Sequence, residues 1–271
     1  MSLHEISSPA NPLIKRLKSL SDKKARREEG LFLAEGLRVC TEALAAGHTP
    51  AILAVTPEAE HHGLGRALVQ ATRAAGGQAI RVPHDIISRI TGKDNAQGVA
   101  AAYAIPDTVL AGLDPHSAPL WVVADNLRDP GNLGTMLRTC DATGAGGLIL
   151  LDDCADPFSL EAVRASMGAV FSRKVFRARA EAFFDWKAGQ PGQIVGAALT
   201  PAAIDYRAHR VMPPCFLLMG NEQAGLPPAH LARCDAVVKL PMKGTADSLN
   251  VAVATGVLLY AALDQLDPLN T

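Results

Sequence analysis

Arginine, amide, carboxylate and hydroxyl side chains stand at three places in the 271-residue chain where an apolar run breaks into irregular, glycine-containing sequence. Arg128 and Asn132 lie in "DNLRDPGN", with Arg138 six residues beyond Asn132; Glu222 lies in "GNEQAGLPP" just after Gly220; Asp247 and Ser248 close "MKGTADS". A guanidinium stays charged at any physiological pH and offers a planar fork of donors, which suits an anionic ligand. Gly220 allows a ligand close to the backbone. Each residue also has an ordinary alternative. Arg138 can pair with Asp141 and Arg128 with its neighbour Asp129, Glu222 can cap a helix or meet an arginine, and Ser248 is by default a helix cap.

The elements around these loops decide whether they meet. "LWVVAD", "GLILLDD", "QIVGAAL", "CFLLMG" and "AVVKLP" are continuous apolar runs, as parallel strands covered on both faces require, and helical stretches intervene. In such sheets ligands bind beyond the carboxyl ends of the strands, where all three loops fall. The helix after the first loop carries Leu133, Met136, Leu137 and Cys140 on its apolar side, with Asn132 expected as its N-cap, Gly144 at its end and Arg138 off the stripe. Asp247 or Ser248 is expected to cap "SLNVAVATGVLLYAAL", which is apolar nearly all round and calls for burial against a partner as well as its own sheet.

Ahead of this unit, Leu37, Cys40, Ala43 and Leu44 recur at helical spacing, "AILAV", "QAIRVP" and "GVAAAYAI" are strand candidates, and an Ala-rich helix separates the first two. The stretch from Pro106 to Pro119, with three prolines and no period, reads as a linker. The expected division is a smaller α/β domain over 1–105, a linker over 106–119 and an α/β domain with a largely parallel sheet over 120–271.

Composition excludes several classes. Hydrophobic residues make up 48% and charged residues 20%, enough for a sizeable core and against disorder. The net charge of −1 conceals a basic segment: residues 11–30 hold Lys15, Arg16, Lys18, Lys23, Lys24, Arg26 and Arg27 against Asp22, Glu28 and Glu29. That segment is either a solvated helix face or a site for a polyanion. Five widely spaced cysteines without a CxxC or Cys/His pattern read as reduced thiols in a cytoplasmic protein and imply no metal. The amino terminus lacks a signal core and no apolar run spans a bilayer, so no membrane is expected. A P-loop, a dinucleotide fingerprint and a GxSxG elbow are all missing.

"DPGNLGTMLRTCDATGAGGL", "LLMGNEQAGL" and "LPMKGTADSLNVAVATGVLLY", in that order, resemble the three signature motifs of the SpoU (TrmH) family of RNA ribose 2′-O-methyltransferases, in the SPOUT superfamily. "DPFSLEAVRASMGAVF" resembles the helix this family places between its first two motifs. The amino-terminal "ISSPANPLIKRLKSL", "REEGLFLAEGLRVCTEAL" and "QGVAAAY" are similar to the attached substrate-binding domain, which resembles the kink-turn-binding ribosomal proteins.

The resemblance implies a trefoil-knotted α/β domain, a homodimer whose interface adjoins the site, and S-adenosylmethionine held in a bent shape by loop backbone. The matching cofactor positions are Leu199, Gly220, Leu240 and Leu249, with Met219 and Met242 nearby. The matching catalytic set is Arg138, Asn132, Glu222, Ser248 and Asn250. Arg138 is expected to clamp a phosphate and stabilise the developing alkoxide, and Asn132 to orient the arginine or the ribose. Glu222 would hold the arginine or the first loop, while Ser248 and Asn250 shape the site by hydrogen bonds. Phosphate contacts are expected from Lys15, Lys18, Lys23, Arg26 and Arg128. The implied activity is S-adenosylmethionine-dependent methylation of a ribose 2′-hydroxyl in structured RNA, ribosomal before transfer RNA. A non-catalytic RNA-binding paralogue and a base methyltransferase of the same superfamily are the alternatives. The chain departs from the family at Gln223 and Ala224, where many relatives have glycine after the glutamate, and at Glu161, where a basic residue is frequent.

Overall fold

A computed structural model describes residues 3–94 and 96–267. The chain forms two compact units: one comprises the residues up to Pro106 together with Asp156–Ser172, the other Asp107–Ala155 together with the residues from Arg173 onward.

The first unit is built on a five-stranded sheet of β1 (His4–Glu5), β2 (Leu31–Glu35), β3 (Ile52–Val55), β4 (Gln78–Arg81) and β5 (Val99–Ala104), in the order β1-β4-β3-β5-β2. β4 runs parallel to β1 and β3, whereas β5 is antiparallel to β3 and β2. The helical spacing from Leu37 is present as the helix Leu37–Ala45, but the preceding Leu31–Glu35 is strand. All five of its residues are buried, and a short run buried on both faces has no period to betray it.

The basic segment folds as two short helices. Asn11 caps Pro12–Ser19 by accepting from Leu13 N, and Asp22 caps Lys23–Glu29 by accepting from Lys24 N and Ala25 N. Ile14, Leu17 and Leu20 enter the core at helical spacing, which leaves Lys15 and Lys18 on the exposed side.

Residues 156–172, kept with the second domain in the sequence division, pack on this first unit. Arg164 Nε donates to Glu35 at 2.7 Å and its Nη2 donates to the Thr91 carbonyl. Phe158 and Phe171 stack against Phe32 at 5.2 and 5.5 Å between ring centroids.

The second unit carries seven parallel strands: β6 (Leu120–Asp125), β7 (Gly147–Leu151), β8 (Lys174–Ala178), β9 (Gln193–Ala197), β10 (Ile204–Asp205), β11 (Cys215–Met219) and β12 (Ala236–Lys239). Their order is β10-β12-β9-β11-β6-β7-β8. Every residue of β6, β7 and β11 is buried, as continuous apolar runs demand. Residues 107–119, expected as a linker, belong to this unit: Leu110, Leu113 and Ala118 join its core, and Trp121 Nε1 donates to the Pro115 carbonyl at 3.2 Å.

Two caps differ from expectation. Asp129, not Asn132, caps the helix Pro130–Thr143, with Pro130 in its first turn and Asn132 N donating to Asp129 Oδ1 at 2.6 Å. Asn250, not Asp247 or Ser248, caps the last helix, Val251–Leu266. These two helices pack along one another, with Gly256 facing Thr139.

Candidate active site

The loops after β6, β11 and β12 meet beyond the carboxyl ends of their strands, and Glu222 is the centre of the junction. Asn132 Nδ2 donates to Glu222 Oε1 at 3.2 Å, and the backbone N–H groups of Arg128 and Asp129 point to the same carboxylate at 3.4 Å. Asn250 Nδ2 donates to Asn132 Oδ1 at 3.0 Å, while Asn250 Oδ1 accepts from Ala252 N and Val253 N. One amide therefore caps the last helix and ties it to the first loop. Of the five expected catalytic residues, Asn132, Glu222 and Asn250 form one hydrogen-bonded chain.

Arg138 lies two turns further along the helix, exposed, and makes no hydrogen bond or ion pair among the described residues. The intrahelical pair with Asp141 is not formed; Asp141 accepts instead from Arg173 Nε at 2.9 Å. Arg128 is exposed and faces Asp153 at 3.9 Å rather than its neighbour Asp129, whose carboxylate serves as the cap.

Beside the Glu222 junction opens a cleft of about 540 Å³. Its lining includes Leu199, Met219, Gly220, Leu240, Met242 and Leu249, together with Glu222, Ser248 and Asn250. The wall from Asn221 to Leu226 is a closed loop: Asn221 and Gly225 exchange backbone hydrogen bonds at 3.1 and 3.0 Å, and Asn221 Oδ1 accepts from Gln223 N and Ala224 N. Gly220 is required beneath it, because a Cβ at that position would lie 2.6 Å from the Gly225 carbonyl oxygen and from Leu226 N. An apolar cleft with a few convergent polar groups and close-lying backbone is the form of a small-molecule site.

The basic residues of the first unit separate into two kinds. Lys15, Lys18 and Lys23 are exposed. Arg26 is not available to a phosphate: it is 3% exposed, its Nη2 meets Asp156 Oδ2 at 2.6 Å, and its Nη1 donates to the carbonyls of Leu20 and Ser21. Its helical position next to the lysines suggested a phosphate contact, but its partner lies 130 residues away in the chain.

Sequence reasoning passed over Asn221 and the pair Asp125–His230. Asn221 was legible beside Gly220; the pair joins residues 105 apart and left no local signal. Thiol chemistry has no place here, since burial pushes Cys140 and Cys215 up to about 12. Among the described residues, no cluster of His, Cys, Asp or Glu is placed to hold a metal ion, and no helix is long and apolar enough to cross a membrane.

The fold has solved counterparts. An S-adenosylmethionine-bound rRNA methyltransferase from Sinorhizobium meliloti superposes with a TM-score of 0.88 at 41% identity, over 97% of this chain and 98% of that one. The SpoU methyltransferase AviRb of Streptomyces viridochromogenes, also solved with this cofactor, gives 0.85 at 30% identity over 95% and 99%. A curated relative, the 23S rRNA (guanosine(2553)-2′-O)-methyltransferase RlmP of Bacillus subtilis, is 31% identical over 95% of this chain and 98% of its own. Residues 119–260 match the SpoU rRNA methylase family, and residues 11–101 match the MRM3-like substrate binding domain. The chain belongs to the SpoU rRNA methylase family.

Proposed function

We propose that the protein transfers the methyl group of S-adenosylmethionine to a ribose 2′-hydroxyl of ribosomal RNA. The observation that carries this reading is the cleft beside the Glu222 junction, whose lining gathers all six expected cofactor positions from four separate stretches of chain. Its apolar side chains suit the adenine and thioether portions of the cofactor, and Gly220 lets the Asn221–Leu226 wall fold back where a Cβ would clash with Gly225 and Leu226. The cofactor supplies an electrophilic methyl group. The protein's own part is to align the hydroxyl with that methyl and to stabilise the charge that develops as the proton leaves.

Arg138 suits the second task. Its guanidinium remains protonated, so it acts as a donor to phosphate and alkoxide, and the proton passes to water or a neighbouring group. Asn132, fixed by Glu222 on one side and Asn250 on the other, orients the ribose, and Ser248 lines the cleft next to Asn250. Lys15, Lys18, Lys23 and Arg128 contribute phosphate contacts.

Two structural parts belong to the same proposal. The chain between β11 and the last helix follows the family's trefoil knot. The exposed Val253, Val257 and Tyr260, on one face of the last helix, are covered by a second copy in a homodimer. A ribosomal RNA substrate suits a cytoplasmic protein.

Calorimetric titration with S-adenosylmethionine tests the cofactor site. One site per chain is expected; absence of binding would leave a non-catalytic RNA-binding protein.

A further inference from the structure

Behind the cleft lies a carboxylate that the chemistry above does not use. Asp125, the last residue of β6, is 1% exposed. A carboxylate so placed must be satisfied by hydrogen bonds, and its two oxygens are divided between two partners. Asn126 Nδ2 donates to Oδ1 at 2.9 Å, and His230 Nδ1 lies 2.6 Å from Oδ2. Because a carboxylate accepts, the hydrogen of this second bond sits on Nδ1. The imidazole is largely buried and packs against Phe184 at 5.2 Å between ring centroids.

Asn126 adopts φ 53°, a left-handed conformation that asparagine tolerates better than most residues. Its bond to Asp125 holds that conformation, and its carbonyl then accepts from Asn221 Nδ2 at 2.8 Å. Asn221 and His230 stand at the two ends of the segment that follows β11, so both ends are tied to the dipeptide Asp125–Asn126. Between them runs the wall of the cleft, including Glu222.

We infer that Asp125 and His230 are positioning residues: the buried pair clasps the far end of the 221–230 segment and so sets the shape of the cofactor cleft. The inference rests on the cleft being the S-adenosylmethionine site. Removing the imidazole leaves a buried carboxylate oxygen unpaired and releases the end of the wall, so the cleft loses preorganisation. The pair makes no bond to Asn132, Glu222 or Asn250, and Glu222 is held by its own contacts with Asn132 Nδ2 and the Arg128 and Asp129 N–H groups. Its loss therefore acts on cofactor affinity and not on transfer from the filled site.

The test compares wild type with His230→Leu, His230→Phe and His230→Asn by calorimetry with S-adenosylmethionine, by single-turnover methyl transfer at saturating cofactor, and by thermal melting. The leucine variant should bind the cofactor about ten-fold more weakly, the size expected for one unsatisfied buried group, with the saturated rate within about two-fold of wild type. The phenylalanine variant keeps the packing on Phe184 without the donor and should show the same loss, which covers the case in which leucine does not fold. Asparagine, whose amide can donate from near the place of Nδ1, should restore most of the affinity. Wild-type affinity in the phenylalanine variant, an asparagine variant as weak as phenylalanine, or a fall in the saturated rate at unchanged affinity would each overturn the inference. A wild type that does not bind the cofactor overturns the site assignment and this inference with it.

Discussion

Arg138 is the residue on which the proposed chemistry turns. It is exposed, off the apolar stripe of its helix, and has no protein partner among the described residues, so its charge is available to an anion. Arg138→Ala should lower single-turnover methyl transfer by about 10²–10³, as when a charge-stabilising donor is removed, and leave cofactor affinity unchanged. Arg138→Lys should recover little, because an ammonium cannot reproduce the two-pronged contact with phosphate. Near-normal transfer by the alanine variant would remove Arg138 from the mechanism. Asn132, Glu222 and Asn250, grouped from the sequence, are joined by hydrogen bonds, whereas the caps were not fully legible. "DP" at 129–130 carried the signal for Asp129, since proline favours the first helical position. Asp247, Ser248 and Asn250 rank close as caps, and the choice among them was made by the amide bond to Asn132.

At the scale of elements, the two basic helices present one family of side chains in two roles. If Lys15, Lys18 and Lys23 neutralise phosphates, removing all three charges should weaken RNA binding and reduce the logarithmic salt slope by roughly 0.7–1 for each phosphate set free. An unchanged slope would exclude that face. Arg26→Ala should act on folding instead. It removes a guanidinium that is 3% exposed, meets Asp156 and donates to the Leu20 and Ser21 carbonyls, and a cost of roughly 1.5–3 kcal/mol in denaturant unfolding is expected for losing buried, charged hydrogen bonds. Periodicity separated Ile14, Leu17 and Leu20 from Lys15 and Lys18, but it could not distinguish an arginine facing solvent from one reaching a carboxylate 130 residues away.

For the whole molecule, the parallel sheet was readable because β6, β7, β9, β11 and β12 are continuous apolar runs. Strand order, and the placement of 156–172 on the first unit, depend on pairings between distant residues, which local pattern does not encode. The stripe Val253, Val257 and Tyr260 leads to a further expectation: sedimentation should show a dimer at micromolar concentration, and Val253→Asp with Val257→Asp should shift it to monomer. A wild-type monomer transferring methyl groups at full rate would refute the dimer.

The central claim is methylation of ribose in ribosomal RNA, and one measurement tests it most directly. Ribosomal and transfer RNA from cells lacking the protein are incubated with it and methyl-labelled S-adenosylmethionine, digested to nucleosides and resolved by mass spectrometry. The label should appear in a 2′-O-methyl nucleoside from ribosomal RNA. Label on a nucleobase, in transfer RNA alone, or in neither RNA would contradict the account.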